Sequence, residues 1–174
     1  MINGTIIVLN GTSSSSKSSL VHALQELLPG RFLERPLRDD VLGLADRPGS
    51  LGRSLVSDMH RGLAALSRSG INVLADHVLV EREWVEECAR LFEGLPAYLI
   101  EVRRPLELLE QRERSRKNRT LGQAILQVDV FHHQGTYDLE VDTTRLGPQD
   151  CARAIQARLL EPPCSFASLR RGML

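Results

Sequence analysis

An α/β fold is predicted, with a five-stranded parallel sheet covered by helices on both faces, and three features of the sequence predict it. Short apolar runs recur along the chain. Longer stretches of helical period separate them. The first run leads through a loop of small residues into Lys17 and a helix. Strands joined through helices form crossover units, which give parallel sheets buried on both sides.

Thr5–Asn10 (TIIVLN) reads as a buried strand and Lys17–Leu28 as a helix with Leu20, Val21, Leu24, Leu27 and Leu28 on one face. Pro29-Gly30 ends that helix, and Phe32–Arg35 is the second strand. Asp39–Leu44 reads as a short helix behind an acidic cap. After the Pro48-Gly49 turn, Leu51–Ser69 forms a long helix closed by Gly70. Ile71–Ala75 (INVLA) is the third strand, Val80–Phe92 an amphipathic helix, and Ala97–Val102 (AYLIEV) the fourth strand. Pro105 opens a helix at its first turn, where the missing N–H is tolerated. Leu121–Phe131 is helical, Asp138–Asp142 the last strand and Asp150–Leu160 the last long helix. Pro162-Pro163 stops that helix. Residues 1–160 thus form one domain, with 161–174 as a C-terminal tail of doubtful order.

The chain has 174 residues, 42% of them hydrophobic, which suffices for one globular core. Its 22 basic and 22 acidic residues balance. That argues against a chain built to coat nucleic acid or an anionic membrane. No apolar run reaches the roughly 20 residues of a membrane span, and no charged leader precedes the first strand. Cys88, Cys151 and Cys164 are odd in number and widely spaced, which suits reduced thiols in a cytoplasmic protein.

The loop Asn10–Ser18 (NGTSSSSKS) stands between a strand and a helix, where GxxxxGK[ST] binds phosphate. Small residues let backbone N–H groups turn inward, and the positive end of the helix adds to their field. Gly11, Ser13, Ser14, Ser15, Ser16, Lys17, Ser18 and Ser19 are therefore candidate nucleotide-binding residues. Lys17 would neutralise β/γ-phosphate charge and Ser18 would ligate Mg²⁺. Ser16 replaces the second glycine. A glycine-specific geometry there would cost a serine about 1 kcal/mol; a right-handed conformation with the hydroxyl holding the loop is the alternative.

Other candidates lie beyond later strands, because ligands of parallel sheets collect at the strands' carboxyl ends. Asp76 follows the third strand and could hold Mg²⁺ through water or orient a substrate hydroxyl. His77 beside it suits a structural role. Asp39 and Asp40 follow the second strand, where a carboxylate facing the γ-phosphate could accept a hydroxyl proton. Arg112, Arg114, Arg116, Lys117 and Arg119 form a basic cluster, at about 112–120, suited to a mobile lid over the transferring phosphate. No aromatic residue is interleaved there, so a nucleic-acid surface is disfavoured.

The stretches IIVLNGTSSSSKSSLVHALQ, GINVLADHVL, VRRPLELLEQRERSRKNR and QVDVFHHQGTYDLEVDTT, in this order, resemble the chloramphenicol phosphotransferase family of P-loop kinases. The resemblance covers roughly Ile6 to Ile155 and implies a three-layer P-loop kinase fold. It also implies ATP- and Mg²⁺-dependent transfer of the γ-phosphate to a hydroxyl of a small molecule, with antibiotics and other natural products among the candidate acceptors. Lys17 and Ser18 match the family's loop residues, Asp76 its acidic residue after the third strand, and Arg112, Arg116 and Arg119 its lid arginines. Its catalytic aspartate falls on Arg38 without a gap and on Asp39 with a one-residue shift that keeps Val41-Leu42 in register. The implied catalytic set is Asp39, Lys17, Arg116 and Arg119, with Ser18 and Asp76 at the metal. The segment of about Gly43 to Arg53, which in the family helps to shape the acceptor pocket, is short here, so chloramphenicol itself does not carry over. A nucleotide-binding module with weak turnover, favoured by Ser16, and a nucleotide or RNA kinase remain the competing readings.

Overall fold

A computed structural model describes residues 2–12, 15–29, 32–36, 50–105 and 136–173. In chain order its elements are β1 (Ile6–Asn10), α1 (Lys17–Leu27), β2 (Phe32–Pro36), α2 (Ser50–Arg68), β3 (Asn72–His77), α3 (Arg82–Leu91), β4 (Ala97–Arg103), β5 (Leu139–Asp142), α4 (Pro148–Arg158) and α5 (Ser165–Arg171). The five strands form one sheet in the order β2-β3-β1-β4-β5, with every neighbouring pair parallel. The expected helices at 39–44, from Pro105, and at 121–131 lie outside the described residues, as does the Pro48-Gly49 turn.

β1 is the central strand and all five of its residues are buried, as its apolar sequence requires. Its side chains alternate between two cores. Ile6 and Val8, with Val73, Ala75, Ala97 and Leu99, pack against α2, α3 and α5. Ile7 and Leu9, with Leu74, Tyr98 and Ile100, pack against α1 and α4. Helix, sheet and helix thus make three layers.

The long helix α2 turns Val56, His60, Leu63, Ala64 and Ser67 inward, a spacing of three and four that keeps one face on the sheet. It ends where Gly70 takes φ +81°, a left-handed conformation open to glycine, and Gly70 N–H donates to the Ser67 carbonyl at 2.9 Å. α4 begins two residues earlier than expected, because Pro148 occupies its first turn. β3 runs two residues further than its apolar stretch. Asp76 and His77 continue the ladder, in register with Leu9 and Asn10 of β1.

The tail corrects the sequence reading. Residues 165–171 form helix α5, and Phe166 stands edge-on to Phe92 at 5.3 Å within the core. Asp138 fastens the approach to it. Its Oδ1 accepts from Arg158 Nη2 (2.9 Å) and from the Cys164 backbone N–H (2.7 Å), while its Oδ2 accepts from Leu99 N–H (2.9 Å). The double proline stops α4, but a buried carboxylate then leads the chain back onto the sheet. Cys88 and Cys151 are buried, Cys164 is exposed, and all three are free thiols.

Candidate functional site

Parallel pairing brings the carboxyl ends of β1, β3 and β4 to one edge, where Asn10 lies opposite both His77 and Glu101. The small-residue loop leaves β1 at this edge through Gly11. A Cβ on Gly11 would stand 2.5 Å from the Val102 carbonyl oxygen, so only glycine lets the loop pass this close to β4. Asn10, fully buried, fixes the strand end on both sides. Its Oδ1 accepts from Leu79 N–H (2.9 Å), and its Nδ2 donates to the Tyr137 hydroxyl (3.0 Å). Burial and the nearby charge of Glu101 push the Tyr137 phenol well up, which keeps it protonated.

Lys17 opens α1 and folds back over the loop. Its Nζ donates to the carbonyls of Gly11 (2.7 Å) and Thr12 (2.9 Å) and lies 3.6 Å from Asp76 Oδ1. The other oxygen of Asp76 is 3.4 Å from Ser18 Oγ, at the long end of hydrogen bonding. A cation, a hydroxyl and a carboxylate therefore converge at the N-terminus of a helix whose first turn carries no acidic residue. A helix N-terminus carries N–H groups outside the helix ladder and a positive field, the physical basis of anion binding.

Ser16 has φ 72° and ψ 21°, and among the described residues it is the single non-glycine residue with positive φ. The glycine-specific geometry is thus retained and the right-handed alternative does not hold. Its hydroxyl nevertheless does hold the loop, accepting from Arg104 Nη1 at 2.8 Å. Thr143, just past β5, donates to the Ser15 carbonyl at 3.0 Å and also lies 3.2 Å from the Arg103 carbonyl.

His77 does not reach into the site. It is buried in a chain that runs beneath α2 to α3. Val78 N–H donates to His77 Nδ1 (2.7 Å), which places the His77 proton on Nε2. That nitrogen faces His60 Nε2 at 2.8 Å, so the His60 proton sits on Nδ1 and is donated to Glu87 Oε2 at 2.7 Å. Ser57 donates to the other oxygen of Glu87 at 2.5 Å. Burial lowers the pKa of His60 against the opposing pull of Glu87. Burial also lowers His77, helped by the charges of His60 and Lys17. For Glu87, burial would raise the pKa, but the hydrogen bonds from Ser57 and His60 and the charges of His60 and Arg61 prevail and lower it.

Of the sequence-derived candidates, Gly11, Ser15, Ser16, Lys17, Ser18 and Asp76 come together, and Ser19 lies exposed on the first turn of α1. Ser13, Ser14, Asp39, Asp40, Arg112, Arg116 and Arg119 lie outside the described residues. Sequence reasoning missed Asn10, Tyr137, Thr143, Arg104 and the His60–Glu87 pair. A lone histidine on the apolar face of α2 was a visible signal for the last. For Arg104 the doubled arginine after an apolar strand was the one hint.

The chain is similar to known proteins over most of its length. The model of the family described as chloramphenicol phosphotransferase-like protein matches residues 4–160. A provisionally named O-phosphotransferase of Mycobacterium tuberculosis is 28% identical over 205 aligned positions, covering 100% of this chain and 91% of its own. Among solved structures, the APS kinase CysC of the same organism, in complex with AMPPNP and APS, superposes with a TM-score of 0.70 at 16% identity, over 92% of this chain and 100% of that one. The tunicamycin resistance protein of Deinococcus radiodurans gives 0.64 at 20% identity, over 90% and 95%. These structural likenesses show the P-loop kinase fold. The match over residues 4–160, nearly the whole length, makes this chain a member of the chloramphenicol phosphotransferase-like protein family.

Proposed function

We propose that the protein transfers the γ-phosphate of ATP to a hydroxyl of a small molecule, an antibiotic or other natural product, in the cytoplasm. The observation that carries this reading is the convergence of Lys17, Ser18 and Asp76 at the N-terminus of α1. Lys17 would meet the β/γ-phosphates, and the N–H groups of the loop would cradle them. Arg112, Arg116 and Arg119 would close over the nucleotide, and Asp39 would accept the acceptor's proton. A base there must reach the hydroxyl, and its neighbour Asp40 is the other residue able to do so.

The oxygen atoms of Ser18 and Asp76, facing each other at 3.4 Å, suit a hard cation that keeps most of its waters and shares phosphate oxygens. They are the residues that would hold Mg²⁺, whose chemistry is to neutralise charge on the β- and γ-phosphates. The family match over residues 4–160 supports the acceptor class but not its identity. Balanced charge and the lack of interleaved aromatics weigh against nucleic acid.

Calorimetry of wild type and Lys17→Ala with ATP·Mg²⁺ tests the reading. Lys17→Ala should weaken binding tenfold or more, about 1.4 kcal/mol. Failure of the folded wild type to bind ATP would sink it. Labelled ATP with a panel of hydroxylated antibiotics, nucleosides and sugars then identifies the acceptor. The second reading, a binding module with weak turnover, draws on the left-handed serine. Tight ATP binding with no transfer to any acceptor would favour it.

A further inference from the structure

The left-handed serine needs a physical account, because a side chain with a Cβ disfavours φ 72° and this loop has no glycine at that point. Rotation about φ of Ser16 turns the Ser15–Ser16 peptide plane relative to α1. The sign of that angle therefore decides which way this part of the loop aims its N–H and carbonyl groups. Two contacts fix that angle, one on the peptide plane and one on the side chain beyond the rotating bond. The Ser15 carbonyl accepts from Thr143 Oγ1 at 3.0 Å, and Ser16 Oγ accepts from Arg104 Nη1 at 2.8 Å.

Both grips are rooted in the same pair of strands. Arg104 directly follows β4 and Thr143 directly follows β5. β4 and β5 pair in parallel with Arg103 opposite Asp142, and Thr143 N–H donates to the Arg103 carbonyl at 3.2 Å. The Ser16 bond is charge-assisted, the stronger class of hydrogen bond. It is also a bond that glycine could not make.

We propose that Arg104 is a positioning residue that does for Ser16 what the missing glycine does in other phosphate loops. Its guanidinium holds the serine hydroxyl, and with it the left-handed backbone, so that the loop is set for phosphate. Thr143 is the second jaw of the same clamp. The proposal rests on the reading of this loop as the ATP site. Its central claim is coupling: Arg104 matters because residue 16 is serine.

The experiment is a cycle of four proteins: wild type, Arg104→Ala, Ser16→Gly and the double variant. Each is checked for cooperative unfolding, then titrated with ATP·Mg²⁺ by calorimetry. In parallel, the backbone φ of residue 16 is read by NMR in the wild type and Arg104→Ala without nucleotide. Arg104→Ala should weaken ATP about tenfold when residue 16 is serine and less than twofold when it is glycine, and it should move Ser16 toward negative φ. Equal losses in both backgrounds would overturn the proposal, because Arg104 would then act on the nucleotide or the fold independently of the serine. A φ that stays positive in Arg104→Ala would overturn it too. The NMR readout separates the two ideas: wild type that binds no ATP while φ inverts in Arg104→Ala removes the kinase reading and leaves the clamp standing.

Discussion

The proton chain beneath α2 makes acid the sharpest perturbation of this fold. His60 is fully buried and His77 nearly so, and both lie in a sequence of donors and acceptors that works only when both rings are neutral. A second proton on His77 would point Nδ1–H at the Val78 N–H. A second proton on His60 would point Nε2–H at the His77 Nε2–H. The groups facing His60 are Glu87 and His77; Lys17 lies within electrostatic reach of His77, and Trp84 stacks 6.1 Å from it. Both folded pKa values lie below the ordinary 6.5, so below that pH the unfolded chain binds more protons than the native one. The stabilising contribution is complete above pH 6.5 and is lost as the pH falls from there toward the folded pKa. Each histidine contributes a slope approaching 1.4 kcal/mol per pH unit. Two rings that stayed neutral throughout would lose about 2.5 kcal/mol between pH 7 and 5.5, which is the upper bound on the effect. At about 2–4 °C per kcal/mol, the melting temperature should drop by no more than roughly 5–10 °C. Thermal unfolding at the two pH values, in wild type and His60→Gln, tests this. The variant, whatever its stability at pH 7, should lose less than the wild type on acidification. A wild type that is equally stable at both values, or a variant with the full wild-type slope, would refute the reasoning. Glu87 acts in the same direction but below its ordinary 4.5, outside this window.

Asp39→Asn should lower kcat by about 10²–10⁴ with little change in ATP affinity; if Asp40→Asn does this instead, the base is one residue along. Gly11→Ala should destabilise by about 1–3 kcal/mol in chemical denaturation, since the new methyl meets the backbone oxygen of Val102 at 2.5 Å rather than a movable side chain; an unchanged midpoint would show that β4 yields there. Phe166→Ala should cost about 3 kcal/mol and lower the melting temperature by roughly 6–12 °C, because its ring is buried against Phe92. A loss under 0.5 kcal/mol would return residues 161–174 to the status of a loose tail.

Local pattern carried the fold a long way. TIIVLN and AYLIEV are readable as strands because a central parallel strand is buried on both faces and needs no alternation. The loop was readable because glycine, small residues and Lys-Ser stand in a fixed order between strand and helix. What escaped depends on partners far along the chain. β3 continues through Asp76-His77 because β1 lies beside it and offers ladder partners, which an apolar-run criterion cannot register. The tail after two prolines reads as a segment of doubtful order, yet Asp138, more than twenty residues upstream of Cys164, accepts its backbone N–H. Ser16 and Arg104 are 88 residues apart, and neither position alone signals the other.

These long-range contacts explain how Gly11, Ser15 and Ser16 are held in place. In a parallel sheet every strand delivers its carboxyl end to the same edge, so one loop can be held by several strands at once. Here β1 supplies Asn10 and the close passage at Gly11, and β3 supplies Asp76 against Lys17. The residues after β4 and β5 supply Arg104 and Thr143. On the proposed reading of this edge as a phosphate site, each contact removes freedom that a phosphate would otherwise have to restrain on binding, and ordering a flexible loop subtracts directly from affinity. Lys17 is arranged in the same way: its ammonium is already at the loop, held by two neutral carbonyls. An anionic phosphate oxygen is a stronger acceptor than a carbonyl, so Lys17 can pass from the loop to a ligand with little movement of its chain. Four strand ends therefore hold Gly11, Ser15, Ser16 and Lys17 by external restraint, where glycine loops rely on backbone freedom.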